Sequence, residues 1–280
     1  MPDIVARRMV IWMNSALLLA LVLTCAAVTG CAARGDGAWA GTTGAGGDIM
    51  TASDEPEARK RARIRLELAL GYFEQGQTTV ALDELKQSLA IDPGFAPAHN
   101  LRGLIYLRLN DLRTAEEGFR RALQLSPRDP AVMHNLGWLL CQQLRWPESF
   151  QRFEQALADP QYAERAKTFR ALGLCQARAG LLPEAERSLM QSFESDAGNP
   201  VTSFNLALLL YQRREPTRAR FYLRRLNNGE LANAETLWLG IKVERALDNP
   251  DAVVQLGSQL IKRFPQSRET ASYQRGDFDE

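Results

Sequence analysis

Few residues in this chain could do chemistry. Four cysteines stand at positions 25, 31, 141 and 175, and two histidines at 99 and 134. No CxxC pair and no Cys/His cluster is present, so a zinc site is not expected. The chain has no nucleophile elbow, no glycine loop poised to cradle a phosphate before a helix, and no HExxH. Its carboxylates are scattered as on a solvated surface. No catalytic residue, metal, cofactor or small-molecule substrate is assigned, and the pattern is that of a protein that binds rather than catalyses. The net charge of +1 comes from 34 basic and 33 acidic residues. Once Arg7, Arg8 and Asp3 leave with the N-terminal segment the balance is neutral, which does not suggest a nucleic-acid partner.

The two N-terminal cysteines have a context of their own. Residues 1–30 carry Arg7 and Arg8 and then an apolar run from Met9 to Val28, the layout of a secretory signal peptide. Val28-Thr29-Gly30-Cys31 resembles the lipobox of bacterial lipoproteins, cut before a cysteine that becomes lipidated. Cys25 fits less well, because Thr24 is larger than the residue normally found before such a cut. The competing reading is a retained anchor, since the run approaches the ~20 residues needed to span a bilayer. Both readings put residue 32 onward in the periplasm. Residue 32 is Ala rather than Asp, which under the sorting rule of enteric bacteria resembles an outer-membrane address. Residues 31–56 then form a lipidated Cys and a Gly/Ala-rich tether, of roughly 25 Å r.m.s. reach.

The remaining cysteines and histidines are positioned by a repeat. AHNLRGLIYLRLNDLRTAEEGFRRALQLSP, from Ala98, is followed by MHNLGWLLCQQLRWPESFQRFEQALADP, from Met133, with Gly103 and Gly137 34 residues apart. Small residues twelve apart recur as Ala69/Ala81, Gly103/Ala115, Gly137/Ser149, Gly173/Ala185, Ala207/Ala219 and Gly240/Ala252. Such pairs let two helices cross closely. Pro147, Pro183, Pro216 and Pro250 open second helices, where a missing N–H costs nothing, and Gly76 and Gly180 suit a left-handed C-cap. Order and period read as the tetratricopeptide repeat. The predicted fold is all-α, a superhelix of about six helix-turn-helix repeats over residues 57–267, with 268–280 a polar, frayed tail.

Stacked repeats place the first helices along a concave face. Repeat register puts Leu66, Leu70, Phe73, Asn100, Leu104, Leu107, His134, Trp138, Arg170, Leu174, Phe204 and Leu208 on it. A face of exposed apolar side chains with a few polar ones suits a peptide or helix of a partner protein; the alternative is that neighbouring side chains cover several of them. The Lys/Asn clamp of chaperone-binding repeat domains is absent. Cys141 and Cys175 lie near the ends of neighbouring first helices, close enough for a disulfide that adds on the order of 3–4 kcal/mol, or for two buried thiols. Arg59, Lys60, Arg61, Arg63 and Arg65 make a solvated basic face, or one that meets anionic lipid.

Local strings carry a closer resemblance. HNLGWLLCQQLRWPES, LADPQY, LGLC, LWLGIKVER and RFPQS are similar to repeats three to six of the type IV pilus biogenesis lipoproteins, the PilF/PilW pilotins. The resemblance implies a non-enzymatic, lipid-anchored outer-membrane protein facing the periplasm. Its implied partner is the pilus secretin, whose outer-membrane localisation, multimerisation or stability it promotes. The alternative is a general periplasmic scaffold lipoprotein recruiting cell-wall or outer-membrane assembly proteins.

Overall fold

The computed structural model describes residues 55–278; the leader, Cys31 and all but the last two residues of the tether lie outside the described residues. Six helical hairpins follow one another: α1 (Glu57–Glu74) with α2 (Thr78–Ile91), α3 (Ala96–Arg108) with α4 (Leu112–Leu125), and α5 (Pro130–Gln142) with α6 (Trp146–Leu157). Then come α7 (Arg165–Arg178) with α8 (Leu182–Ser195), α9 (Pro200–Gln212) with α10 (Pro216–Asn227), and α11 (Ala234–Ala246) with α12 (Pro250–Arg263). Partners within a hairpin pack most closely, and each second helix packs on the first helix of the next hairpin. Successive first helices also touch, while successive second helices do not to the same extent. The first helices therefore form the tighter, inner row.

The small-residue pairs sit at the hairpin crossings, and all but Ala252 are buried. A Cβ built on Gly103 would lie 2.4 Å from the Phe119 ring, and one on Gly173 would lie 2.7 Å from Leu189. At Ser149 the small side chain also donates a hydrogen bond, 2.8 Å, to the Gly137 carbonyl across the crossing. Phe119 and Phe153 fill the space so defined and are fully buried.

Each first helix ends in the same way. In α1 the Gly76 N–H bonds to the Phe73 carbonyl and the Gln77 N–H to the Tyr72 carbonyl, a Schellman motif. The pattern recurs at Asn110, Leu144, Gly180, Arg214 and Asp248. All six residues have φ between 54° and 81°. Glycine takes this conformation without strain; Leu144 and Arg214 hold it against their own preference because the helices on both sides fix the turn.

Each junction between hairpins has its own link. Arg108 lays its guanidinium 3.5 Å from the centre of the Phe73 ring and donates to the Phe73 carbonyl. Between the second and third hairpins, Arg145 donates to Glu116 at 2.8 Å. Burial opposes ionisation of Glu116, but bonds from Arg145 and Gln143 hold it below the ordinary carboxylate range. Arg213 and Arg218 both pair with Glu186 between the fourth and fifth. Asn227 donates to the Thr236 carbonyl, 3.0 Å, between the fifth and sixth.

The expectation of a frayed polar end is corrected. Residues Arg268–Arg275 form a thirteenth helix, α13, packed on α11 and α12. Ser267 caps it by accepting from the Thr270 N–H, 3.1 Å. Its inward side chains are small and polar: Thr270 and Ser272 are buried, and Thr270 donates to the Phe264 carbonyl at 2.7 Å. Tyr273 covers Gly257, where an added Cβ would come within 2.1 Å of its ring. Glycine at 257 thus leaves room for an aromatic that closes the stack.

Candidate peptide-binding face

The inner row brings most of the twelve sequence-designated residues onto the first helices' shared side. Leu70 is 42% exposed. Leu66, Asn100, Leu104, Leu107, Trp138, Arg170, Leu174, Phe204 and Leu208 are half-buried. Their apolar inner ends rest on the core: Leu66 and Leu104 on the first cluster, Leu107 on the next, Trp138 beside the cysteines, and Phe204 and Leu208 on the fifth hairpin. Asn100 accepts a hydrogen bond from Asn135, 3.0 Å, which ties the second hairpin to the third along this face.

Phe73 and His134 are not available to a partner. Phe73 belongs to the core, with Arg108 closed over its ring. His134 is only 6% exposed. Its Nδ1 lies 2.8 Å from Thr168 Oγ1, and Thr168 donates to the Tyr162 hydroxyl at 3.2 Å. Its ring meets Phe153 edge-on at 5.7 Å. The cause lies in the connection: seven residues, 158–164, join the third hairpin to the fourth, against four to six at the other junctions, and Tyr162 from this longer link bonds to Thr168 on α7 beside the imidazole. Burial, aided by the Lys167 charge, pushes the His134 pKa down to about 4.

Cys141 and Cys175 end up side by side on α5 and α7, with Cα atoms 5.9 Å apart and the sulfurs bonded. Both are fully buried, under Trp138, Trp146 and Phe150. Of the basic residues on α1, Arg59 pairs with Asp92, Lys60 with Glu57, Arg63 with Glu55 and Arg65 with Glu84, so most of that charge is answered within the chain. Among the described residues, no three His, Cys, Asp or Glu are grouped to hold a metal ion.

Sequence reasoning missed two features, one at the start of the stack and one on this face. Ile64 and Leu68 are 57% and 44% exposed on α1, whereas the repeat-equivalent Ala98, Val132, Leu136 and Leu172 of later hairpins are buried. The inner row also continues to Trp238, one repeat beyond Phe204, a position that the period itself predicts.

Comparison with known proteins places the chain. A family model for the tetratricopeptide repeat matches residues 66–130. The type IV pilus assembly protein PilF of Pseudomonas aeruginosa is 30% identical over 247 residues, 88% of this chain and 93% of that protein. The chain belongs to the PilF family. The solved structure of P. aeruginosa PilF matches with a TM-score of 0.71 at 30% identity, covering 79% of this chain and all of that one. The structure of PilW, a widely conserved type IV pilus biogenesis factor, matches with a TM-score of 0.70 at 30% identity, covering 75% of this chain and 97% of that one. For this PilF-family chain the architecture is thus the all-α tetratricopeptide-repeat superhelix, in a type IV pilus biogenesis protein.

Proposed function

We propose that this chain is a non-enzymatic, pilotin-like lipoprotein of the outer membrane. Lipidated at Cys31 and facing the periplasm, it binds the type IV pilus secretin and promotes its outer-membrane localisation, multimerisation or stability. The observation that carries this reading is the full-length relationship to a type IV pilus assembly protein, together with an inner row of first helices that leaves Leu70 and its neighbours open. The lipobox-like Val28–Cys31 supports the anchor.

Deletion of the gene, followed by membrane fractionation and a gel of heat-resistant secretin multimers, tests the reading. Multimers should be lost or displaced from the outer membrane, and piliation should fall. Normal outer-membrane multimers with normal piliation would overturn it. In the purified protein, Leu70→Glu should weaken partner binding with the melting temperature held within a few degrees. Cys31→Ser should release the protein from the membrane fraction, and retention there would exclude lipid anchoring.

A further inference from the structure

The last hairpin of the inner face already carries an occupant. After α13 the chain turns at Gly276, φ +76°, and Arg275 pairs with Asp277 at 2.8 Å. The turn swings Phe278 back onto the inner face of α11. Its ring stacks on Trp238, with centroids 5.5 Å apart and planes inclined by 22°. The Arg245 guanidinium lies 4.2 Å from the centre of the Phe278 ring, and the Lys242 ammonium lies 5.3 Å from that of Trp238. Trp238 holds the register of Asn100, His134, Arg170 and Phe204, so the tail sits where those residues face in the earlier hairpins.

Beside Phe278 a cavity of about 560 Å³ opens between the C-terminal ends of α9 and α11, lined by Tyr211, Gln212, Arg214, Pro216, Lys242 and Ala246 with Phe278 itself. Among the described residues its lining includes Arg214 and Lys242 and no carboxylate. In sequence, residues 277–280 read Asp-Phe-Asp-Glu, an aromatic among three carboxylates. An aromatic ring held between an indole and a guanidinium, beside a basic, partly empty cavity, matches that chemistry.

We propose that this end of the inner face is a recognition site for an extended partner segment bearing an aromatic residue flanked by carboxylates, and that the segment at Asp277 and Phe278 is an internal competitor that must leave before the partner docks. The inference rests on the reading of the first helices as a protein-binding face, but not on that partner being the pilus secretin. A tethered competitor acts at millimolar effective concentration, so the site is silent toward weak ligands and opens to those that outcompete the tail.

The probe is a fluorescein-labelled peptide, Gly-Asp-Phe-Asp-Glu with blocked ends, titrated by polarisation against the full chain in mild detergent. Phe278→Ala should bind it at least tenfold more tightly than the parent. Arg214→Glu with Arg245→Glu in the Phe278→Ala background should abolish the gain, as should replacing the peptide's Phe by Ala. Unlabelled peptide added to the parent should speed amide exchange at Asp277 and Phe278 while leaving α5 unchanged, which reads displacement without any substitution. Equal affinity of parent and Phe278→Ala, or unchanged exchange at saturating peptide, would overturn the proposal. Secretin multimers lost on gene deletion alongside such a negative result would leave the pilus function standing and remove only this site.

Discussion

His134 is the residue whose environment departs furthest from what its type implies. An imidazole with a pKa near 4 stays neutral in the fold at pH values where the unfolded chain, near 6.5, is protonated. Between those values the unfolded state binds more protons, so stability falls as pH drops from 6.5 toward 4, by about 3 kcal/mol over the whole window. Urea melts at pH 7 and pH 5 should show a lower midpoint at pH 5, and the difference should shrink in His134→Asn. The glycines give a second contrast at this scale. A Cβ on Gly118 would lie 2.8 Å from the Gly103 nitrogen and 3.0 Å from the His99 carbonyl, both backbone. Gly118→Ala should therefore cost about 1–3 kcal/mol, as overpacking does. At Gly71 nothing lies within 4 Å, and Gly71→Ala should instead stabilise by roughly 0.5–1 kcal/mol through helix propensity. Thermal melts of the two variants should move in opposite directions.

At the scale of the element, turns and crossings were legible and orientations were not. The small-residue pairs and helix-opening prolines located the hairpins because a close crossing and a first-turn proline each demand a residue type. Gly76 and Gly180 announced their left-handed turns; Leu144 and Arg214 take the same φ without announcing it, since the strain is carried by the surrounding motif. Leu144 is 60% exposed, so Leu144→Gly gives up little packing. It should raise stability by about 0.5–1 kcal/mol, the strain relieved less the added chain entropy, measurable as a higher urea midpoint. Register could not foresee the burial of Phe73 and His134, because Arg108 and the Tyr162 connection that cover them belong to other elements. Helix α13 escaped notice because it seats itself with Thr270, Ser272 and a single tyrosine rather than with an apolar stripe. For the Cys141–Cys175 bond we predict that non-reducing peptide mapping of protein purified without reductant finds the two linked. Reduction should then cost on the order of 3–4 kcal/mol.

At the scale of the whole stack, stability is a sum of hairpins and the junctions between them. The junctions are chemically different: cation on ring, guanidinium on carboxylate, sulfur on sulfur, and amide on carbonyl. Substitution at one should weaken its neighbours' cooperation without unfolding the rest. Hydrogen exchange in Arg145→Met should show faster opening confined to α3–α6. Removing residues 268–280 should lower the melting temperature and expose α12, since Leu260 and Gly257 would lose their cover.

The two termini of the described stack are finished differently. One is closed by a short helix whose tyrosine fills the last glycine notch; the other presents Ile64 and Leu68 uncovered on α1. Such an arrangement has a direction of growth. A hairpin grafted ahead of Glu57 would find an apolar seat waiting, whereas one added after Ser267 would first have to evict α13.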